Sequence, residues 1–176
     1  MNLILTGFGP FPNHADNPSG QIASSLGGFT LKVAYDEVDA FLDAHPADFY
    51  LCLGLNAKAK EPQIEIRAFN ERSLDVPDVT GAKPKTAVLI PEEPESLTTS
   101  LEASMLYMSL ICEGLPCGLS SDPGRYLCNY VYFKALSKTN GNALFVHLPP
   151  AEGDWPLDRQ KRLVKAILRQ LEESAF

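Results

Sequence analysis

Three short apolar runs, residues 2–6, 49–53 and 143–146, constrain the chain most, because each has the length of a buried strand rather than of a helix. The first is closed by Gly7, the second by Gly54, and the third reaches His147 at its edge. Residues 29–34 and 115–120 suit further strands. Residues 63–70 alternate with period two, Ile64, Ile66 and Ala68 on one side and Glu65 and Arg67 on the other. Segments of helical spacing lie between these runs. Asn17-Pro18 reads as an N-cap followed by proline at the first helical position. Val38, Phe41 and Leu42 mark a second helix, ended by Pro46. Leu97, Leu101, Met105, Met108 and Cys112 mark one face of a third, with Gly114 past its end. Leu127, Val131, Ala135 and Leu136 form the stripe of a fourth, and Leu157, Leu163, Val164, Ile167, Leu168 and Leu171 that of a last. Residues 71–95, with four prolines, read as loop. Strands alternating with helices predict a single-domain α/β/α sandwich over residues 1–176, with a largely parallel, mixed central sheet.

Composition narrows the function. With 15 Lys and Arg against 22 Asp and Glu, the formal charge is −7, which argues against binding a nucleic-acid backbone. Hydrophobic residues at 45% and charged residues at 21% are those of an ordinary globular chain, not of a disordered one. No window approaches the length of a membrane span, and residues 1–11 read as a first strand rather than a signal peptide. Cys52, Cys112, Cys117 and Cys128 show no Cys-x-x-Cys spacing and no zinc pattern, so four free thiols in a reducing cytoplasm are expected.

Ligands of such sheets sit beyond the carboxyl ends of the strands, where Gly7, Glu65, Cys128 and His147 fall or lie near. Cys128 lies in Asp122-Pro123-Gly124-Arg125-Tyr126-Leu127-Cys128-Asn129, a turn feeding a helix. The positive end of the helix dipole and its unpaired N–H groups favour a thiolate there and could hold an oxyanion. A small core thiol is the other reading, and local sequence leaves both open. His147, at a strand end, is placed as a base or as a satisfied core histidine. His14 and His45 read as solvated. Glu65 faces water, or needs a partner such as a histidine N–H if its face is covered. Gly7-Phe8-Gly9-Pro10-Phe11-Pro12 is not a dinucleotide fingerprint, because Pro12 stands where the last glycine belongs.

Taken together, several segments resemble one family. Thr6-Gly7-Phe8-Gly9-Pro10-Phe11 with Asn17-Pro18-Ser19 resembles the opening of the cysteine-type pyroglutamyl peptidases, also called pyrrolidone-carboxylate peptidases. Glu65, Ala68-Phe69-Asn70 and Pro77-Asp78 are similar to their glutamate segment. Gly124-Arg125-Tyr126-Leu127-Cys128-Asn129 resembles their nucleophile turn, and Phe145-Val146-His147-Leu148-Pro149 their histidine strand. The resemblance covers nearly the whole chain. It implies a Glu65, Cys128 and His147 triad, a thioester intermediate, and removal of an N-terminal 5-oxoproline residue. It implies no metal or organic cofactor. It implies peptides or proteins with N-terminal pyroglutamate as partners, with no nucleic acid and no membrane, and it allows a homo-oligomer. Phe8 and Phe11 would wall an apolar lactam pocket, with Val76 as its aliphatic residue.

The chain departs from the family pattern at two points and is shorter than typical members. No arginine occurs in Gly54-Leu55-Asn56-Ala57-Lys58-Ala59, and Asp75 stands where an arginine commonly precedes the aliphatic-Pro-Asp segment. These departures define a reading of another class, a catalytically impaired relative acting as a binding or interaction protein. A third reading keeps the cysteine chemistry and changes the amide.

Overall fold

A computed structural model describes residues 1–173. The elements are β1 (Leu3–Phe8), α1 (Pro18–Ser25), β2 (Phe29–Leu31), α2 (Tyr35–Ala44), β3 (Phe49–Leu55), β4 (Gln63–Glu65), β5 (Arg67–Phe69), β6 (Ser96–Thr98), α3 (Ala103–Cys112), β7 (Gly118–Ser120), α4 (Leu127–Lys138), β8 (Ala143–Leu148) and α5 (Leu157–Glu173). Six strands form one sheet in the order β2-β1-β3-β8-β4-β7. Its pairs are parallel except β4 with β8, which run antiparallel. β5 and β6 make a separate antiparallel pair.

Two apolar cores flank the sheet, and strand parity decides which residues enter each. Leu51, Leu53, Leu144, Val146 and Leu148 point to the core built with α1, α3 and α5. Tyr50, Cys52, Ala143 and Phe145 point to the core built with α2 and α4. This is the expected α/β/α sandwich with a mostly parallel, mixed sheet. Its parity also dictates that Gly54, two residues beyond Cys52, and His147, two beyond Phe145, lie on the α4 side.

The loop after β1 is fixed by the start of α1. Asn17 caps that helix by accepting from the Ser19 N–H at 3.1 Å, with Pro18 at the first helical position, as the sequence predicts. The Asn17 amide also donates to Gly9 O at 3.0 Å, and Ser19 Oγ accepts from the Phe8 N–H at 3.0 Å. Strand and helix cross closely here: a Cβ on Gly7 would lie 2.1 Å from Ser19 O. Phe8 and Phe11 are thereby held at the carboxyl edge of the sheet.

The fold departs from the sequence expectation in two places. Residues 63–70 are not one strand. The Ile66 N–H donates to Ser120 O and its carbonyl accepts from Thr99, and beyond it the chain leaves β7 and β8 to pair with β6. Ala68 therefore joins the α2/α4 core while Ile64 joins the other. Alternation persists through the change of partner, so period two could not reveal it. The third helix starts at Ala103, with Leu97 in β6, and it buries Ala103, Leu106 and Leu110. Met105 is 71% exposed and Met108 and Cys112 are exposed too, so the expected stripe faces outward. That helix is apolar all round, and several stripes fit its sequence equally well.

Candidate active site

Glu65 and His147 meet through the antiparallel register of β4 and β8. Glu65 stands opposite Phe145, so His147, two residues on, is its diagonal neighbour on the same face. His147 Nδ1 donates to Glu65 Oε1 at 2.7 Å, which leaves Nε2 free to face another group. Both side chains are buried, with Glu65 only 1% and His147 6% exposed. The face is covered by α4, whose Tyr132 hydroxyl donates to the Glu65 carbonyl at 2.8 Å. Glu65 Oε2 has no hydrogen-bond partner among the described residues.

Cys128 is the second residue of α4, which opens without a side-chain cap. The first bond of the helix runs from Tyr130 N–H to Tyr126 O at 3.0 Å, so the N–H groups of Leu127, Cys128 and Asn129 have no intrahelical acceptor. Cys128 Sγ rests against the sheet at Gly54: a Cβ there would lie 2.7 Å from the sulfur and 2.6 Å from Phe145 Cζ. Gly54 is the register partner of His147, so the missing side chain opens the space in which thiol and imidazole approach. Burial opposes a charge on His147. The adjacent Cys128 sulfur and the Glu65 carboxylate outweigh it and push the imidazole up to about 10. Burial pushes the Cys52 thiol up to about 12 and that of Cys117 to about 11, so neither is a nucleophile near neutral pH.

A cavity of about 430 Å³ opens over this cluster, and Phe8, Phe11, Tyr126, Cys128 and His147 are in its lining. The two phenylalanines are where the sequence expects them. Val76 is not: it is 45% exposed in the long loop and does not line the cavity. That loop runs along the outside of the turn before α4, with Tyr126 OH donating to Pro77 O at 3.0 Å and Ser73 N–H to Arg125 O at 2.8 Å. Val33 supplies an aliphatic wall instead. His14, expected in solvent, packs against Phe11 with ring centroids 4.5 Å apart and lines the cavity. His45 stays away from the site, stacked on Phe41.

Residues 1–151 match the family described as pyroglutamyl peptidase. The chain belongs to the pyroglutamyl peptidase family. It is 26% identical to pyroglutamyl-peptidase 1 of Rattus norvegicus over 96% of this chain and 88% of the relative. It is 28% identical to the pyrrolidone-carboxylate peptidase of Chromobacterium violaceum, over 84% of this chain and 77% of the relative. The crystal structure of the pyrrolidone carboxyl peptidase of Fervidobacterium islandicum AW-1 superposes with a TM-score of 0.87 at 27% identity, covering 97% of this chain and 98% of that one. The pyrrolidone carboxyl peptidase of Thermus thermophilus superposes with a TM-score of 0.85 at 26% identity, over 94% and 98% of the two chains. As a member of this family of cysteine peptidases, the chain is an enzyme rather than a structural module.

In this pyroglutamyl peptidase relative, residues the sequence did not single out hold the site together. Asn129 is fully buried beside Cys128. Its Oδ1 accepts from the Phe69 N–H, and its Nδ2 donates to the carbonyls of Phe69 and Glu71, all at 2.8 Å. It ties the start of α4 to the strand that follows Glu65. Arg125 donates to Glu71 at 2.9 Å and to Asp122 at 2.7 Å and lies over the Phe69 ring, which fixes the turn before the nucleophile. A polar residue next to the cysteine was the available signal for Asn129. Gly54 was visible only as a strand end.

Proposed function

We propose that the chain is a cysteine exopeptidase that hydrolyses the amide bond after an N-terminal pyroglutamyl residue, with Cys128 as nucleophile, His147 as general base and acid, and Glu65 orienting the ring. The observation that carries the reading is the buried His147–Glu65 hydrogen bond of 2.7 Å beside a thiol at the open end of α4. His147 takes the Cys128 proton, and Glu65 offsets the charge of the imidazolium. The thiolate adds to the pyroglutamyl carbonyl carbon, forming a C–S bond. The oxygen takes the negative charge against the unpaired N–H groups at the start of α4. As the intermediate collapses the C–N bond breaks, and His147 gives its proton to the leaving amine. A water, deprotonated by His147, then adds to the thioester. The C–S bond breaks, releasing pyroglutamate and restoring the thiolate beside the imidazolium.

Phe8 and Phe11 suit a small neutral lactam, which presents dipoles rather than an ammonium whose desolvation would be costly. The substrates are peptides or proteins carrying N-terminal pyroglutamate, met in a reducing cytoplasm; no helix among the described residues is long and apolar enough to cross a membrane. The test is incubation with a pyroglutamyl-aminocoumarin amide beside the alanyl and prolyl amides. Release from the pyroglutamyl amide alone, lost in Cys128→Ala, is the expected result. Release from all three would make the chain a broader amide hydrolase, and binding of pyroglutamyl peptide without release would overturn the proposed hydrolysis.

A further inference from the structure

We infer that the cavity has a second compartment, centred on Lys58, that selects substrates whose leaving residue carries a carboxylate. This rests on the pyroglutamyl peptidase reading and deepens it. The cavity of about 430 Å³ is more than a single five-membered lactam fills, and besides Phe8, Phe11, Cys128 and His147 its lining includes Leu55, Asn56, Ala57 and Lys58. With the lactam against the phenylalanines and its carbonyl at Cys128, the residue beyond the scissile bond has to occupy the remainder of the mouth.

The charge available there is specific. The Asp, Glu, Lys and Arg side chains in the lining are Lys58, Asp122 and Arg125. Arg125 and Asp122 are committed to each other at 2.7 Å, and Arg125 also binds Glu71. Among the described residues no carboxylate lies within ion-pair distance of the Lys58 ammonium. It is therefore the one lining cation without a counter-charge, in a chain whose formal charge is −7.

Its place is also fixed. Lys58 lies in a tight turn that continues β3 beyond the sheet. The Asn56 N–H donates to Leu148 O at 2.9 Å, Asn56 Oδ1 accepts from the Lys58 N–H at 3.1 Å, and the Ala59 N–H returns to Asn56 O at 3.0 Å. Gly54, against which Cys128 Sγ rests, is four residues earlier on the same segment, and Lys58 shares the lining of one cavity with Cys128. A carboxylate on the leaving residue, either its side chain or its own free carboxyl terminus, completes the pair.

The test measures kcat/KM for two matched substrate pairs at low ionic strength. One pair is pyroglutamyl-Glu-amide against pyroglutamyl-Gln-amide. The other is pyroglutamyl-alanine against its C-terminal amide. A part-exposed ion pair of this kind predicts about a fivefold preference for the charged member of one pair, shrinking toward unity in 1 M salt. The Glu/Gln pair reports a side-chain carboxylate and the alanine pair a terminal one. In Lys58→Gln the preference falls to about one, and in Lys58→Glu it inverts. Because each is a ratio measured on one enzyme, a general loss of activity in a variant leaves it readable. Ratios near one in both pairs, with pyroglutamyl-aminocoumarin turnover intact, overturn the inference and leave the peptidase reading standing. A preference that survives Lys58→Gln also overturns it, and no turnover of any pyroglutamyl substrate overturns both.

Discussion

At the scale of single residues, the site depends on a side chain that is missing. Gly54 gives Cys128 Sγ its seat, and a methyl group there would stand 2.7 Å from the sulfur and 2.6 Å from Phe145. Gly54→Ala should fold but push the thiol away from His147. Displacement of a reacting group by about 1 Å can cost on the order of a hundredfold in rate, and kcat/KM should fall by about that factor. Measuring kcat/KM beside the urea midpoint separates this from unfolding; unchanged turnover would remove Gly54 from the site. The imidazole makes a second prediction. Its folded value of about 10 lies above the ordinary 6.5, so its contribution to stability is complete below about 6.5 and is lost as the pH rises through about 10. Hydrolysis should fall on the alkaline side near 10, because the leaving amine then lacks its acid, while alkylation of Cys128 continues. Glu65→Gln removes the carboxylate that holds the proton and should move this alkaline limb down by about 1–2 pH units. A limb that stays in place in Glu65→Gln would argue against the assigned role of Glu65. Cys128, His147 and Glu65 each stand out locally, a thiol after a turn or a polar group in an apolar strand, but local sequence leaves a bland reading open for each, and only the joint resemblance to the family groups them. Gly54 does not stand out, since a glycine ending a strand looks the same whether or not a sulfur rests on it.

At the scale of elements, α4 has to be anchored to two structures at once, the sheet below and β5 beside it. Asn129 makes the second connection. Asn129→Leu keeps the volume but leaves the part-buried Phe69 N–H and the carbonyls of Phe69 and Glu71 without their partner. It should destabilise the protein by about 2–4 kcal/mol in urea titration and slow turnover at temperatures where the variant is still folded. A variant as stable as the parent would mean that this clamp is dispensable. Element types and order were readable because apolar runs and helical stripes differ in period. The break at Ile66 was not, since the same alternation serves two successive sheet partners. The outward face of α3 was misassigned because a helix apolar on every side has no single stripe to read. Val76 failed for a related reason. A loop residue carries no periodicity, and only coordinates show that it is exposed and outside the cavity lining.

At the scale of the whole molecule, the residues of the site come from segments far apart in the chain: Phe8 ends β1, Gly54 lies one residue before the end of β3, Glu65 ends β4, Cys128 is the second residue of α4 and His147 lies on β8. No one segment contains the site, so activity reports the assembled sheet with both helix layers. The two buried cysteines report those layers separately. Cys52 lies in the core shared with α2 and α4, and Cys117 in the core shared with α1, α3 and α5. Neither reacts while folded, because burial removes access and holds both thiols well above neutral pH. Brief thiol labelling along a urea series should therefore modify exposed Cys112 throughout, and Cys52 and Cys117 only across the unfolding transition. If residues 1–173 unfold as one unit, both cores should open together over the narrow range in which hydrolysis disappears, with a steep dependence of roughly 2–3 kcal/mol per molar urea for a chain of this size. Labelling of Cys117 at lower urea than Cys52 would instead show that the α1, α3 and α5 layer can detach while the layer bearing Cys128 stays folded. Activity that persisted after such detachment would place the catalytic requirement in the sheet and α4 without the α1, α3 and α5 layer.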